Sequence, residues 1–173
     1  MWPYRIRKGL YALAELFLHW VVDPRLRAFL ISMLGAKVGR NVRVYEATFI
    51  NLEKGFSNLV LHDDVHIGHS CLLDLHDLVI LEKGVTLSPR VSILTHSDPG
   101  KSHQSPICNY FPPKSAGVII REYSWIGASS TILAGVVIGR ETVVGAAGLV
   151  CHSLEGGGVY LGVPAKLARR LAD

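Results

Sequence analysis

Residues 120–149, IREYSWIGASSTILAGVVIGRETVVGAAGL, carry an aliphatic residue every six positions: Ile120, Ile126, Ile132, Ile138 and Val144. Gly127, Gly139 and Gly145 each directly follow such a residue, and Ser124, Ser130, Val136, Thr142 and Gly148 sit four positions after one. A six-residue period fits neither a helix nor a single long strand. It fits a parallel β-helix in which three short strands make one triangular coil. The aliphatic side chain points inward, the small residue fills the corner, and glycine is expected to supply backbone angles that a Cβ forbids.

The same phase extends toward the amino terminus. Val38, Val44 and Ile50 read as the first coil, Leu61, Ile67 and Leu73 as the second, and Leu81, Leu87 and Ile93 as the third. An excursion at Glu53–Leu59 and two extra residues between Leu73 and Leu81 interrupt it. A loop over 97–117 then separates Ile93 from Ile120. Loops this long inside a compact repeat usually carry function. The expected architecture is an all-β solenoid over 36–152, with a helical cap over 1–35 and a loop and short helix over 153–173. In the cap, Asp23-Pro24 divides two helices, since proline suits a first helical turn. In the last segment, Pro164 opens the expected helix, Ala165 to Ala172.

Charged residues make up 18% of the chain and the net charge is +4. That excludes a disordered chain and gives no basic cluster suited to nucleic acid, though it suits a polyanionic small molecule. Three cysteines, Cys71, Cys108 and Cys151, form no disulfide framework and no CxxC metal pair, which suits a reducing, cytoplasmic setting. The apolar run Gly9–Val22 is shorter than the roughly 20 residues that cross a bilayer, and no cleavage site follows it. It reads as a cap on the open solenoid end, or as an interfacial helix at the inner face of a membrane, anchored by Trp2, Tyr4, Trp20 and the basic residues Arg5, Arg7 and Lys8.

Three features coincide: the hexapeptide coils, a histidine in the loop-flanked ILTHSDP segment, and a YSWIGASSTILAGVVIG run followed by GVPAK. Together they resemble the hexapeptide-repeat acetyltransferases, in particular sugar and polysaccharide O-acetyltransferases of the maltose, galactoside and nodulation types. The resemblance covers about 36–170. It implies a left-handed parallel β-helix, a homotrimer, and acetyl-coenzyme A bound between neighbouring subunits, with a sugar or glycan acceptor and no metal. One segment departs from the family pattern. Val150-Cys151-His152-Ser153 stands where many members carry a Thr/Ser-Lys-Asp-like sequence, so a basic coenzyme contact there falls to His152.

Acetyl transfer from a thioester to a hydroxyl needs a base, an oxyanion donor and held substrates. Imidazole is the natural base near neutrality. His96 precedes the long loop, and the resemblance makes it the catalytic histidine. His96 and His76 each lie three positions after an inward aliphatic residue, so with the two extra residues of that coil placed after His76 their rings are expected to stack one coil apart, about 4.8 Å. Asp74 is the first choice for orienting His96 or binding the sugar, with Asp77 and Asp98 as competitors. On the acceptor side stand His76, Asp77, Asp98 and Tyr110. The resemblance places Trp125 beside the ligand. Gly127, Ala128, Gly145 and Ala146 are expected to back the pantetheine arm, and Lys166 and Arg169 to meet coenzyme phosphates. No nucleophile is evident, so transfer is expected to be direct.

Two other readings share the fold. His62, His66, His69 and His76 keep open a metal enzyme like the gamma-class carbonic anhydrases. A trimeric scaffold without chemistry is the other.

Overall fold

The computed structural model describes residues 4–171, with side chains from Gly9 onward; Trp2 lies outside them. Residues 37–161 wind through three sheets in rotation, interrupted by the hairpin of the long loop and, in the last turn, reduced on the first face to a single bridge from Ile138 to Leu154. The first face holds Lys37–Val38, Leu59–Leu61, Val79–Leu81, Val118–Ile120 and Val137–Ile138. The second holds Arg43–Val44, His66–Ile67, Thr86–Leu87, Trp125–Ile126, Val143–Val144 and Gly158–Leu161. The third holds Ala47–Ile50, Cys71–Asp74, Ser92–Ile93, Thr131–Ile132 and Leu149–Val150. The result is a parallel β-solenoid of five coils.

The repeat works because the side chain at its aliphatic position has nowhere else to go. Leu61, Ile67, Leu73, Leu81, Leu87, Ile93, Ile120, Ile126, Ile132, Ile138 and Val144 are all buried and stack in columns. The first coil breaks phase. Phe49, not Ile50, takes the inward place and pairs with Leu73, while Ile50 pairs with Asp74. Phe56, from the excursion after this coil, fills the solenoid end against Phe49, edge to face at 5.3 Å. The small corner residues do more than fit. The Ser124 and Ser130 hydroxyls donate to the carbonyls of Gly139 and Gly145 in the next coil, at 2.8 and 2.9 Å. They also accept from the backbone N–H groups of Thr142 and Gly148.

The repeated glycines have a different purpose from the one expected. Gly127, Gly139 and Gly145 are not among the left-handed residues; those are Tyr123, Ser129, Gly135, Glu141 and Ala147, again six apart. What glycine supplies is clearance. A Cβ at Gly139 would lie 2.2 Å from the backbone nitrogen of Gly156, and one at Gly127 2.6 Å from that of Ala146. At these two corners the backbone of the next coil lies too close for a side chain.

Two helices close the amino-terminal end, α1 (Tyr4–Leu18) and α2 (Pro24–Met33). The Asp23 carboxylate caps α2 by accepting from the N–H groups of Arg25 and Leu26. Glu15 on α1 accepts from the free N–H of Phe49, blunting an open strand edge. The buried Arg27 guanidinium donates to the carbonyls of Leu18, Val21 and Val44, tying both helices to the first coil.

The other end corrects the sequence reading. Residues 166–170 form a strand, not a helix, and run antiparallel to Gly158–Leu161 on the second face. A helix of two turns is marginal on its own, whereas the strand satisfies the edge of the last coil. The long loop leaves and re-enters through a short antiparallel pair, His96–Ser97 with Lys114–Ser115. Between them lie 3-10 turns at Lys101–His103 and Pro106–Asn109.

Candidate active site

The edge where the third face turns into the first gathers one cluster of polar side chains. Asp74 ends a third-face strand in the second coil and is fully buried. His96 follows the third-face strand of the next coil. The His96 Nδ1 lies 2.6 Å from Asp74 Oδ2. The same oxygen accepts from the N–H groups of Thr95 and His96, and Oδ1 accepts from the Asn51 amide and the His76 N–H. Burial works against the charge, but the hydrogen bonds from His96, Asn51, His76 and Thr95 outweigh it and hold the Asp74 carboxyl at about 2. An ionised carboxylate can only accept. Nδ1 must therefore donate, and in the neutral ring the lone pair sits on Nε2. The His76 ring stacks on His96 with centroids 4.6 Å apart and planes at 26°.

The competing carboxylates have other duties. Asp77 accepts from the Leu78 N–H and from the Ser115 hydroxyl, holding the returning strand of the loop. Asp98 accepts from the N–H groups of Gly100 and Lys101, turning the loop. Backbone hydrogen bonds keep both carboxyls below the usual range. Asp98, with His76 and His96, still lines a small recess of about 150 Å³. Tyr110 is 79% exposed on the loop and lines neither cavity at His96.

His96 also lines a cleft of about 650 Å³ that runs along the edge past Leu94, Leu133 and Ala134 to Cys151. His152 follows at that edge, with Nδ1 3.2 Å from the Cys151 sulfur. Among the thiols, Cys71 is the buried one, and burial pushes it up to about 11.

The other expected coenzyme residues stand elsewhere. Trp125 is on the second face, its indole N–H donating to the Ser88 hydroxyl at 2.8 Å. Gly127, Ala128, Gly145 and Ala146 form the edge between the second and third faces. Register places Trp125, Val143, Val159 and Arg169 in one row across the second face, with Lys166 on the same outer strand. Three strand spacings make that row about 14 Å long. One chain thus separates His96 and His152 from Trp125 and Arg169, which lie at different edges of the prism.

Asn51 and Thr95 were not singled out from sequence. Thr95 is buried, and its hydroxyl donates to the Asp74 carbonyl and accepts from the Asp77 N–H. The four histidines of the metal reading do not converge. His66 and His69 flank Tyr45, His76 lies at the His96 edge, and His62 follows a first-face strand. Among the described residues no group of three His, Cys, Asp or Glu is arranged to hold a metal ion.

No family model matches the chain. Two proteins of Escherichia coli K12 resemble it at 29% identity. One, named as a lipopolysaccharide biosynthesis O-acetyl transferase, matches over 65% of this chain and 58% of its own length. The other, named as a colanic acid biosynthesis acetyltransferase, matches over 86% and 77%. The chain thus spans less than two thirds of the first relative. Among solved structures, a galactoside acetyltransferase in complex with coenzyme A superposes with a TM-score of 0.74 at 21% identity, over 97% of this chain and 82% of that one. That likeness supports the fold.

Proposed function

We propose that this chain, which belongs with the hexapeptide-repeat acetyltransferases, moves an acetyl group from acetyl-coenzyme A to a sugar hydroxyl in surface-glycan assembly. The observation that carries the chemistry is the His96–Asp74 contact, a buried carboxylate fixing the tautomer of an imidazole that opens onto a cleft. Nε2 of His96 takes the acceptor proton as the hydroxyl oxygen attacks the thioester carbonyl carbon. The tetrahedral intermediate collapses, the C–S bond breaks, and the proton passes from Nε2 to the leaving thiolate. The products are an acetyl ester and the free coenzyme thiol. Asp74 is a positioning residue; it also balances the imidazolium charge while that exists.

The coenzyme is read along the second face. Ala128, Gly145 and Ala146 leave backbone accessible to the pantetheine arm, while Gly127 is buried beneath Ala146 and only lets the coils close at that edge. Trp125 flanks it, and Arg169 and Lys166 stand at the phosphate end of the row. His76, Asp77, Asp98 and the Tyr110 loop are read on the acceptor side.

Reading both halves as one site requires a second copy. Around a threefold axis, the first face of one chain meets the second face of the next. The outer edge of that contact joins the His96 edge of one chain to the Trp125–Gly127 edge of its neighbour. Beyond the exposed Lys37 of the first coil, the outward row of the first face, Val60, Ile80, Ile119 and Val137, is aliphatic and half-buried, as such a contact requires.

The test mixes two inactive variants, His96→Ala and Trp125→Ala, after co-refolding. Sites shared between chains recover about a quarter of wild-type activity in an equal mixture, because each interface needs one intact half from each side. Recovery of none, with both variants folded and trimeric, refutes the shared site. Calorimetric titration with acetyl-coenzyme A tests the transferase reading itself: no binding at millimolar ligand ends it.

A further inference from the structure

We infer that the helical cap docks this protein on an anionic lipid surface. Leu13 and Phe17 on α1, Trp20 and Val22 at the elbow, and Phe29 and Met33 on α2 are 58–91% exposed. They recur at helical spacing, so each helix turns one apolar stripe outward while Ala28 and Ile31 face the solenoid. Scattered exposed leucines need no explanation; large aromatic and aliphatic side chains exposed on both helices and at the elbow between them do. The Arg27 hydrogen bonds fix both helices, so the face is presented on a rigid mount.

Charge identifies the partner. The cap, residues 1–35, holds five Lys or Arg and two acidic residues, whereas the remainder holds thirteen and twelve; Arg27 is buried in the mount, which leaves Arg5, Arg7, Lys8 and Arg25 for a partner. Both acids of the cap are engaged: Glu15 contacts His19 and the Phe49 N–H, and Asp23 caps α2. Arg5, Arg7 and Lys8 occupy the first turns of α1. Such a segment attracts anionic headgroups by about 1 kcal/mol per basic residue near the surface. A second copy of the same cationic face would be repelled. Among the described residues no helix is long and apolar enough to cross a membrane, so the cap lies on the surface, with Trp20 and Phe17 at the headgroup level.

The placement links docking to the site. A groove of about 400 Å³ runs beside α1, lined by Leu16, Ile50, Leu52 and Asn51. Asn51 donates to Asp74, which holds His96. From the first coil to the third is two strand spacings, about 10 Å. With the helix thickness of about 10 Å added, the His96 edge lies about 20 Å from the outer side of the cap, within reach of a glycan carried on a membrane lipid; this last step alone rests on the transferase reading.

The test is flotation of the full chain with vesicles of phosphatidylcholine alone or with roughly a third phosphatidylglycerol. Binding is expected to the anionic vesicles, weakening as salt rises. The triple variant F17S/W20S/F29S, all exposed positions, is expected to bind roughly tenfold or more weakly, with unchanged mass and acetyl-coenzyme A titration. Wild-type protein that ignores anionic vesicles at low salt overturns the proposal. So does a triple variant that floats as well as wild type, or one that lowers the solution mass without lipid, which would assign the face to a second copy. Failure of the transferase reading would appear in the coenzyme titration and leave flotation untouched.

Discussion

Replacing Asp74 with asparagine keeps the shape and removes the charge. The carboxylate accepts five hydrogen bonds, three at Oδ2 and two at Oδ1. The least damaging placement puts the asparagine oxygen at the Oδ2 position, where it still accepts from His96 Nδ1. The new NH2 group then meets the Asn51 amide, which can flip, and the His76 N–H, which cannot. One orphaned donor costs about 1–3 kcal/mol of stability. The catalytic loss has a separate origin. An imidazolium and a carboxylate about 4 Å apart between charge centres attract by about 4 kcal/mol at an effective dielectric of 20. Solvent at the partly exposed His96 ring reduces this to about 2 kcal/mol. The expected fall in kcat is therefore between about 30-fold and 1000-fold, with acetyl-coenzyme A affinity within about twofold because the coenzyme row is on another face. Free-thiol release with an acceptor glycan measures the first, calorimetry the second. A folded D74N protein whose kcat stays within about threefold would refute the positioning role. Equal losses in coenzyme binding and turnover would make Asp74 a structural residue only.

His96→Ala removes the base itself and is expected to lower kcat by about 10²–10⁴-fold while coenzyme binding persists; unchanged turnover would remove His96 from the mechanism. The Asp74 carboxyl is held at about 2, below its ordinary 3.8. The unfolded chain thus takes up this proton first as pH falls, and the stabilisation, complete above about pH 4, is lost on approach to pH 2. Denaturant titrations across that window should show a loss of about 2 kcal/mol that D74N lacks; an identical profile in D74N would contradict the assignment. Gly139→Ala forces a Cβ to within 2.2 Å of the Gly156 nitrogen and is expected to cost about 3 kcal/mol or more in thermal unfolding. A loss under about 1 kcal/mol would show that the corner can spread.

The central coils were legible because a six-residue period admits few alternatives: Ile120, Ile126, Ile132 and Ile138 all point inward. The stacking of His76 on His96 followed from equal phase within successive coils. Asn51 was not legible because the first coil steps by five residues from Val44 to Phe49, which shifts the phase just before it. Thr95 was missed because a lone threonine between Leu94 and His96 looks like ordinary strand alternation. The glycine pattern was visible, yet its cause, contact between coils, exists only once the coils are stacked. At the carboxyl end, Pro164 suggested the first turn of a helix because local sequence does not report a vacant sheet edge. Only the completed solenoid shows that edge next to residues 166–170.

That reversed strand limits how far the stack can grow. A parallel solenoid ends in a row of free N–H and C=O groups pointing along the stacking axis, the arrangement that seeds end-to-end polymerisation. Lys166–Arg170 covers the last coil of the second face and runs against its direction. The strand register that a newly arriving coil would need is absent there, just as Glu15 and the helices obstruct the opposite end. The hairpin is thus a stop signal written in chain direction. A chain cut after Leu161 should show light scattering that rises with time and concentration; a cut protein that stays the size of the intact one would place the stop elsewhere.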